Sequence, residues 1–322
     1  MSEASFADIP LYLAPMAGIT DRVFRTLCFQ HGCGRATTEM VSAQGYLTAP
    51  KERDPYQYLL AKGPAEGPLA AQLFGSDPGF IGDAAARLTD TGLFDAIDLN
   101  MGCPAPKIVG GGAGSALMKT PELAGAIVRQ AVKSTSLPVT VKMRIGWDEA
   151  HINAVPFARM LAEAGAASLT VHGRTRAQQY AGKADWAAIR AVKEAVSVPV
   201  IANGDIVDGE SALSALRETR CDGLAVGRGA LGNPWIFEEV KAALAGKPYE
   251  KPDYPAVVRT AMAHAQGLAD WMGEKAAVLE MRKHFAWYIT GRRGAARLRT
   301  QLNHASTLAE AEALLWTLSD AD

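Results

Sequence analysis

The stretch VTVKMRIG, residues 139–146, is short, apolar and rich in β-branched side chains; a segment with helical spacing follows it, and then a second such run, SLTVHGR, residues 168–174. Strand, helix and strand in this order form the unit from which parallel sheets are built. Most runs of this kind in the chain are apolar on both faces, as in strands that helices cover on each side. We therefore expect a parallel α/β fold.

The same unit recurs through the first 245 residues. Eight runs have the composition of strands: LYLAP (11–15), ATTEMV (36–41), LAAQLFG (69–75), AIDLNMG (96–102), VTVKMRIG (139–146), SLTVHGR (168–174), VPVIANGD (198–205) and GLAVGRG (223–229). Eight β-then-α units over about 240 residues match a (β/α)8 TIM barrel in number and length. A doubly wound sheet is the alternative, but no G-x-G-x-x-G follows the first strand.

Residue types that cap helices mark several of the intervening helices. We expect one helix from Thr20 to about Gly32. TPEL predicts another, with Thr120 as N-cap and Pro121 at the first helical position. ADWAAIRAVKEAV predicts a third, capped by Asp185.

The pattern changes after NPWIFEEVKAALAG. KPYEKPDYP (247–255) contains three prolines, and no strand candidate follows it. AVVRTAMAHAQGLADWM and EKAAVLEMRKHFAWYIT have helical spacing, and Thr307 with Glu310 has the spacing of a capping box. In the second of these helices we expect Val278, Met281, Phe285 and Tyr288 to form an apolar side and Gly291 to end the helix. We expect a barrel domain over 1–245, a linker over 246–254 and an all-helical domain over 255–322.

Composition favours a soluble, reduced, cytoplasmic protein. Lys and Arg total 33 against 34 Asp and Glu, so whole-chain charge does not indicate a nucleic-acid partner. No apolar run is long enough to span a membrane. Of the four cysteines only Cys28 and Cys33 are close in sequence, with no second pair for a zinc site, so no metal is expected. No feature indicates an oligomer.

Polar residues gather at the expected C-terminal ends of the strands, where TIM barrels carry their active sites. They are Gln72, Asp98, Asn100, Lys142, Arg144, His172, Arg174, Asn203, Asp205 and Arg228. Some of the cations are expected to pair with the two carboxylates. Four cations against two carboxylates nevertheless favour an anionic ligand. The glycines of NGD and GRGALGNP, together with Arg228, predict a phosphate site after the last two strands.

Cys103 lies between Gly102 and Pro104, just after a strand. A buried, small hydrophobic residue is the usual role of a free cysteine. The tight turn instead predicts a thiol aimed at the barrel mouth, where it serves as an acid or as a nucleophile. Its position alone leaves both roles open.

Residues 281–304 contain six cations and no carboxylate, interleaved with Phe285, Trp287 and Tyr288. The cations are Arg282, Lys283, Arg292, Arg293, Arg297 and Arg299. A solvated helix face is the ordinary interpretation of such a segment. A surface that follows a phosphate backbone is the alternative, and Arg174 and Arg176 are placed to extend it to the barrel mouth.

These stretches together resemble one family. LAPMAGITDRVFR, DLNMGCPAPKIVGGGAGSALM, VKMRIGW, TVHGRTR, PVIANGDI, VGRGALGNPWIF and RKHFAWY are similar to the motifs of the tRNA-dihydrouridine synthases, most closely the bacterial B-type branch. The resemblance covers nearly the whole chain. It implies an FMN-containing barrel and a helical tRNA-binding domain that together reduce the C5–C6 double bond of a D-loop uridine, with NADPH as reductant.

The resemblance also implies roles for single residues. It puts Pro15, Met16 and Ala17 against the isoalloxazine ring, Gln72 at its pyrimidine edge, and Lys142 near N1 and O2. The ribityl chain and phosphate would contact His172, Asn203, Gly204, Asp205, Gly227 and Arg228. Substrate contacts are expected from Asn100, Arg144, Arg174, Arg176 and the six cations of residues 281–304.

For Cys103, the resemblance implies a general acid that protonates C5 of a uracil flipped out of folded RNA. The glycines of VGGGAGSALM are then either a hinge that carries Cys103 or a plain tight connection. Two other functions compete. One is an FMN barrel acting on a free pyrimidine, as dihydroorotate dehydrogenases do, and the other is an RNA-binding protein without catalysis.

Overall fold

In the computed structural model, which describes residue 6 and residues 8–50 and 55–318, the strands form one closed parallel barrel. Every strand pairing is parallel. The strands are β1 (Leu11–Leu13), β2 (Arg35–Thr37), β3 (Val41–Ser42), β4 (Leu69–Phe74), β5 (Ala96–Met101), β6 (Val139–Gly146), β7 (Ser168–Thr175), β8 (Val200–Asn203) and β9 (Gly223–Val226). The predicted TIM barrel with C-terminal helices is confirmed.

The predicted second strand is interrupted. ATTEMV is divided between β2 and β3, which both pair with β4. The two short strands together occupy the place of one of the eight strands of the barrel. Between them the Thr38 hydroxyl accepts the N–H of Gln72 at 3.0 Å. The Glu39 carboxylate turns away and accepts the N–H of Gly18 at 2.5 Å. The backbone N–H of Thr38 still donates to the carbonyl of Ala70 at 2.9 Å, so these side-chain bonds supplement the pairing with β4 at the break.

Helices surround the barrel and then continue beyond it. The first group is α1 (Arg22–Gln30), α2 (Ala43–Thr48), α3 (Gln57–Leu60), α4 (Pro78–Thr89), α5 (Pro106–Val109), α6 (Pro121–Ser134), α7 (Ala154–Glu163), α8 (Trp186–Ala195), α9 (Gly209–Thr219) and α10 (Ile236–Leu244). The C-terminal group is α11 (Tyr254–Met272), α12 (Glu274–Tyr288), α13 (Ala295–Leu302) and α14 (Leu308–Leu315). No helix within these described ranges is both long and apolar enough to span a membrane.

The helix caps refine the expected boundaries. Asp185 caps α8 as predicted, accepting the N–H of Ala188. Thr120 takes the N-cap position of α6 but makes no capping bond through its side chain. The first helix begins at Arg22, not Thr20, because Asp21 is the residue whose carboxylate accepts the first free N–H groups.

The C-terminal helices have a hydrophobic core of their own. The apolar side predicted for α12 is buried there: Val278, Met281, Phe285 and Tyr288. The hydroxyl of Tyr254, at the start of α11, donates to the carbonyl of Leu315 in α14 at 2.6 Å. Residues 319–322 of the predicted helical domain, and residues 1–5, 7 and 51–54 of the predicted barrel domain, lie outside the described residues.

This helical core rests on the barrel near the C-terminal ends of the strands. Gly232, in the loop after β9, adopts φ +64°, and an added Cβ would collide with the backbone of Trp287 and Tyr288. Gly267 of α11 lies so close to Val23 of α1 that a Cβ would come within 2.7 Å of it. The helices therefore pack at the edge of the barrel mouth.

A buried ion pair anchors α1. Arg25 and Glu66 are joined at 2.9 Å with fully buried side chains, and Arg25 also donates to the carbonyls of Thr20 and Ala61. We expect Glu66→Gln to lower the free energy of unfolding by about 3–5 kcal/mol, because it leaves a buried guanidinium uncompensated. Chemical denaturation measures this change.

The control is Glu194→Gln, which breaks the exposed Arg190–Glu194 pair on α8. There the loss should stay within about 1 kcal/mol. Equal losses in the two variants would contradict the structural role of the buried pair.

Candidate active site

A cavity of about 870 Å³ opens at the C-terminal ends of the strands. Its apolar wall includes Ala14, Met16 and Ile19 from the segment after β1. All the residues expected to bind a flavin line it: Pro15, Met16, Ala17, Gln72, Lys142, His172, Asn203, Gly204, Asp205, Gly227 and Arg228. Cys103, Asn100 and Arg144 line it as well. Parallel strands in register bring these distant residues together.

Two cations, half-buried Lys142 and buried Arg144, shape the electrostatics of the cavity. The ammonium of Lys142 donates to the amide oxygen of Asn203 at 3.0 Å, and Asn203 donates in turn to the carbonyl of Ala225 at 2.8 Å. Burial, followed by repulsion from Arg144, lowers the pKa of Lys142 to about 8. Burial also lowers the pKa of Arg144, to about 10. Cations desolvated in this way mark a site that stabilises negative charge.

His172 is a neutral imidazole in this setting. Burial, and then the charges of Lys142, Arg144, Arg174 and Arg228, lower its pKa far below the usual range. It therefore offers one N–H and one lone pair at neutral pH, and adds no positive charge to the mouth.

The two carboxylates at the strand ends have different partners. Asp205 binds Arg174 through both oxygens at 2.8 Å, and lies 3.5 Å from Arg228. Asp98 is not paired with a cation at hydrogen-bond distance among the described residues, and accepts from Gln72 and Thr140 instead. Of the cations expected to pair with a carboxylate, Arg174 therefore pairs with Asp205, and Arg228 does so at longer range.

Arg174 and Arg144 serve the framework of the mouth. Arg174 is buried, does not line the cavity, and donates to the carbonyls of Ala181 and Gly182. It therefore stabilises the loop after β7. The sequence analysis predicts that Arg174 extends a basic surface to the barrel mouth, but its side chain is buried and faces this loop. Arg144 donates to three carbonyls, those of Gly102, Thr175 and Gln179, and still faces the cavity.

The part of the cavity where a phosphate is expected, at Gly204, Gly227 and Arg228, has a geometry suited to an anion. Gly204 adopts φ +121°, and a Cβ there would approach Ala184 to 2.9 Å and His172 to 3.1 Å. At Gly227 a Cβ would meet no atom closer than 3.9 Å, so its backbone faces open space in the cavity. Half-exposed Arg228 lies beside it. Accessible backbone next to a guanidinium is a favourable setting for a phosphate.

A chain of hydrogen bonds leads from a buried carboxylate to the turn that holds Cys103. Asp98 accepts from the Gln72 amide nitrogen at 2.7 Å, and the Gln72 amide oxygen accepts from Asn100 at 2.9 Å. The Asn100 side-chain oxygen then accepts the backbone N–H of Cys103 at 2.9 Å. Because an ionised carboxylate only accepts, Asp98 fixes which way both amides point.

The other side of this turn is held by the glycine-rich segment. The carbonyl of Cys103 accepts from the backbone and from the hydroxyl of Ser115, at 3.1 and 2.9 Å. Gly114 adopts φ +59°, and a Cβ there would lie 2.8 Å from that same carbonyl. At least one glycine of VGGGAGSALM therefore serves close packing around Cys103. Movement of this segment stays a prediction.

The basic residues of the C-terminal helices are only partly exposed. Arg297 and Arg299 of α13 are exposed, whereas Lys283 forms an ion pair with Glu280 and Arg292 stacks on Tyr254 at 4.3 Å. Phe285 and Tyr288 are core residues and are not available for stacking on bases. Their burial agrees with the apolar side that periodicity predicts for α12.

Sequence patterns do not mark three residues near the mouth: Tyr180, Trp147 and Lys119. Tyr180 lines the cavity with 56% of its surface exposed, and Arg228 and Arg144 lie over its ring at 5.0 and 5.8 Å. Trp147 is flanked by Lys119 at 4.3 Å and by Arg176 at 4.5 Å. Tyr180 and Trp147 lie on loops and Lys119 ends a short 3-10 helix, so neither α-helical nor strand periodicity marks them.

Comparison with known proteins gives consistent matches. The family model described as dihydrouridine synthase matches residues 12–321. A probable tRNA-dihydrouridine synthase of Rhodobacter capsulatus is 42% identical over 96% of this chain and 94% of its own length. One from Rickettsia bellii is 41% identical over 91% and 89%, and tRNA-dihydrouridine synthase B of Pseudomonas aeruginosa is 41% identical over 91% and 87%.

The hydrogen-bond chain gives a test at Asp98. We expect Asp98→Ala to lower the free energy of unfolding by about 1–3 kcal/mol, since it leaves the buried amide of Gln72 without an acceptor. The freed turn should also make Cys103 react faster with iodoacetamide. Denaturation and the rate of Cys103 alkylation, followed by mass spectrometry, measure the two effects.

Asp98→Asn is the matched control. Its oxygen can still accept from Gln72 while its amide donates to the Thr140 hydroxyl, so both stability and alkylation rate should stay near those of the wild type. If the alanine and asparagine variants were equally impaired, the charge of Asp98, not its acceptor geometry, would be what matters.

Proposed function

The chain belongs to the dihydrouridine synthase family, and on that premise we propose that it reduces the C5–C6 double bond of a D-loop uridine in tRNA. FMN would be the bound cofactor and NADPH the reductant. The proposal rests mainly on one observation: a thiol, Cys103, and a half-buried ammonium, Lys142, line the same large cavity. A tRNA substrate also favours a cytoplasmic location.

The residues of the cavity fit a flavin mononucleotide. An apolar wall at Met16 and Ala17 suits the ring, and accessible backbone at Gly227 beside Arg228 suits a phosphate. The volume of about 870 Å³ lies in the range of cofactor sites. The cofactor would supply the hydride for C6 of the uracil. Lys142, with its pKa lowered by burial, favours negative charge on the ligand beside it.

The role proposed for Cys103 is to hold the proton that C5 receives. Asn100 fixes the backbone N–H of Cys103 and Ser115 fixes its carbonyl, so the thiol is carried on a rigid turn. A thiol held in this position can give its proton to a base bound in the cavity, as a general acid does. The family resemblance favours this acid role over that of a nucleophile.

A base inside folded RNA reaches such a cavity only when it is flipped out of its stack. Asn100 and Arg144 line the cavity near Cys103 and present polar groups toward such a base. The exposed ring of Tyr180 covers part of the entrance. Because Arg144 also fixes three carbonyls of the surrounding loops, binding of the base and the shape of the mouth depend on one guanidinium.

We propose residues 1–245 as the cofactor-binding domain, 246–254 as a linker, and 255–322 as the domain that binds tRNA. Exposed Arg297 and Arg299 on α13 are available to phosphates. Lys119 and Arg176, stacked on Trp147 near the mouth, offer two more cations. An enzyme for a free pyrimidine has no evident use for such groups.

Replacing the thiol tests the chemistry. We expect Cys103→Ala to retain the yellow cofactor and its bleaching by NADPH without oxygen, but to form dihydrouridine about 10²–10⁴ times more slowly, because the proton donor is lost. Single-turnover formation of dihydrouridine in tRNA from a strain lacking the protein measures this rate.

Cys221→Ala is the control, since Cys221 is buried and precedes β9 at the opposite end of the barrel. It should leave turnover near the wild-type rate. Unchanged turnover in Cys103→Ala would rule out the acid role. A colourless protein, or equal activity on free uracil or dihydroorotate without RNA, would overturn the wider proposal.

The basic surface of α13 is tested separately. We expect the double variant Arg297→Ala and Arg299→Ala to weaken tRNA binding and to reduce its salt dependence, because two phosphate contacts are removed. Filter binding across a salt series measures both quantities, with flavin content as a check on folding. Arg190→Ala on α8, which removes an exposed arginine elsewhere, should leave binding unchanged.

A further inference from the structure

Three side chains that can bind a metal meet where the barrel contacts the C-terminal helices. Asp21 precedes α1, His264 lies in α11 and His284 in α12. One ligand atom from each lies within 4.8 Å of the other two. His264 and His284 are 0% and 1% exposed. The group lies outside the lining of the active-site cavity.

Two buried nitrogens in this group lack hydrogen-bond partners among the described residues: Nε2 of His264 and Nδ1 of His284. The opposite nitrogen of His264, Nδ1, lies 3.4 Å from the hydroxyl of Tyr288. At Asp21, Oδ1 accepts the N–H groups of Val23 and Phe24. An unpaired buried polar atom lowers the stability of the fold by about 1–3 kcal/mol. Two such nitrogens in one group therefore favour a bound species that accepts their lone pairs.

We propose that Asp21, His264 and His284 bind a divalent transition-metal ion such as Zn²⁺. Imidazole nitrogen and carboxylate oxygen are ligands that zinc accepts, and three protein ligands leave a position for water. Asp21 is half-buried, whereas the two histidines are buried. The Tyr288 hydroxyl beside Nδ1 of His264 corresponds to the outer partner that usually orients a metal-binding histidine.

The charged neighbours partly cancel. Lys283 lies near both histidines and its charge opposes a second cation, but Glu280 forms an ion pair with it. Arg25 also lies near Asp21, and its guanidinium is paired with Glu66. Glu39 lies close enough to Asp21 to act on its charge. The carboxylates of this region thus compensate its ammonium and guanidinium groups.

A metal at this place would join α1 of the barrel to α11 and α12. Phe24 of α1 already stacks against His264 and His284, at centroid distances of 5.6 and 5.7 Å. The ion would add a link between the two cores without touching the cavity. Its effect is therefore expected on stability and on the orientation of the C-terminal helices.

Metal binding by the full-length protein tests the proposal. Protein treated with EDTA and dialysed should bind about one Zn²⁺ per chain in equilibrium dialysis, with a raised melting temperature. Added Co²⁺ should give visible absorption bands of a site with nitrogen and oxygen ligands. His264→Gln and His284→Gln should each weaken Zn²⁺ binding at least tenfold, as the loss of a ligand requires.

His304→Gln, which changes an exposed histidine of the same helical region, should bind Zn²⁺ like the wild type. The proposal is overturned if the wild-type protein binds clearly less than one Zn²⁺ per chain at saturation without a change in melting temperature. It is also overturned if the folded His264 and His284 variants bind as well as the wild type. A crystal structure from zinc-containing solution with only a water at hydrogen-bond distance from the three side chains would overturn it too.

Discussion

Closure of the parallel sheet is the constraint on which the rest of this structure depends. A ring of parallel strands has all its C-terminal ends on one side, so polar residues that follow different strands must share one mouth. The pairing of β2 with β4 closes the sheet, and β4 pairs with β3 further along, so that Thr38 and Glu39 lie between the two pairings. Those two residues then bind the backbone of Gln72 and of the loop at Gly18, both at the mouth.

Burial of cations at that mouth sets its chemistry. Lys142 is held by a neutral amide, whereas Arg174 is neutralised by Asp205. The charge of Lys142 therefore leaves a positive potential in the cavity, whereas Asp205 cancels the charge of Arg174. Two residues of the same charge at neighbouring strand ends thus have opposite consequences, because one faces the cavity and the other faces a loop.

The C-terminal helices complete the mouth from outside. Their contact at Gly232 fixes the loop after β9, which also carries Arg228. Their contact at Val23 fixes α1, whose preceding loop carries Met16 and Ala17. The helical core therefore supports two walls of the cavity. This arrangement links the surface proposed for RNA to the site proposed for chemistry.

The sequence by itself determined the barrel, most of its strands, the helical C-terminal part and many of the polar residues at the mouth. These follow from periodicity and from the rule that parallel strands end together, which are local and topological properties. Only the tertiary structure decided the partner of each charge, the break after Thr37, the place of Tyr180 in the cavity wall, and the meeting of Asp21 with His264 and His284. Such choices depend on contacts between residues far apart in the chain, whose energies no local pattern records.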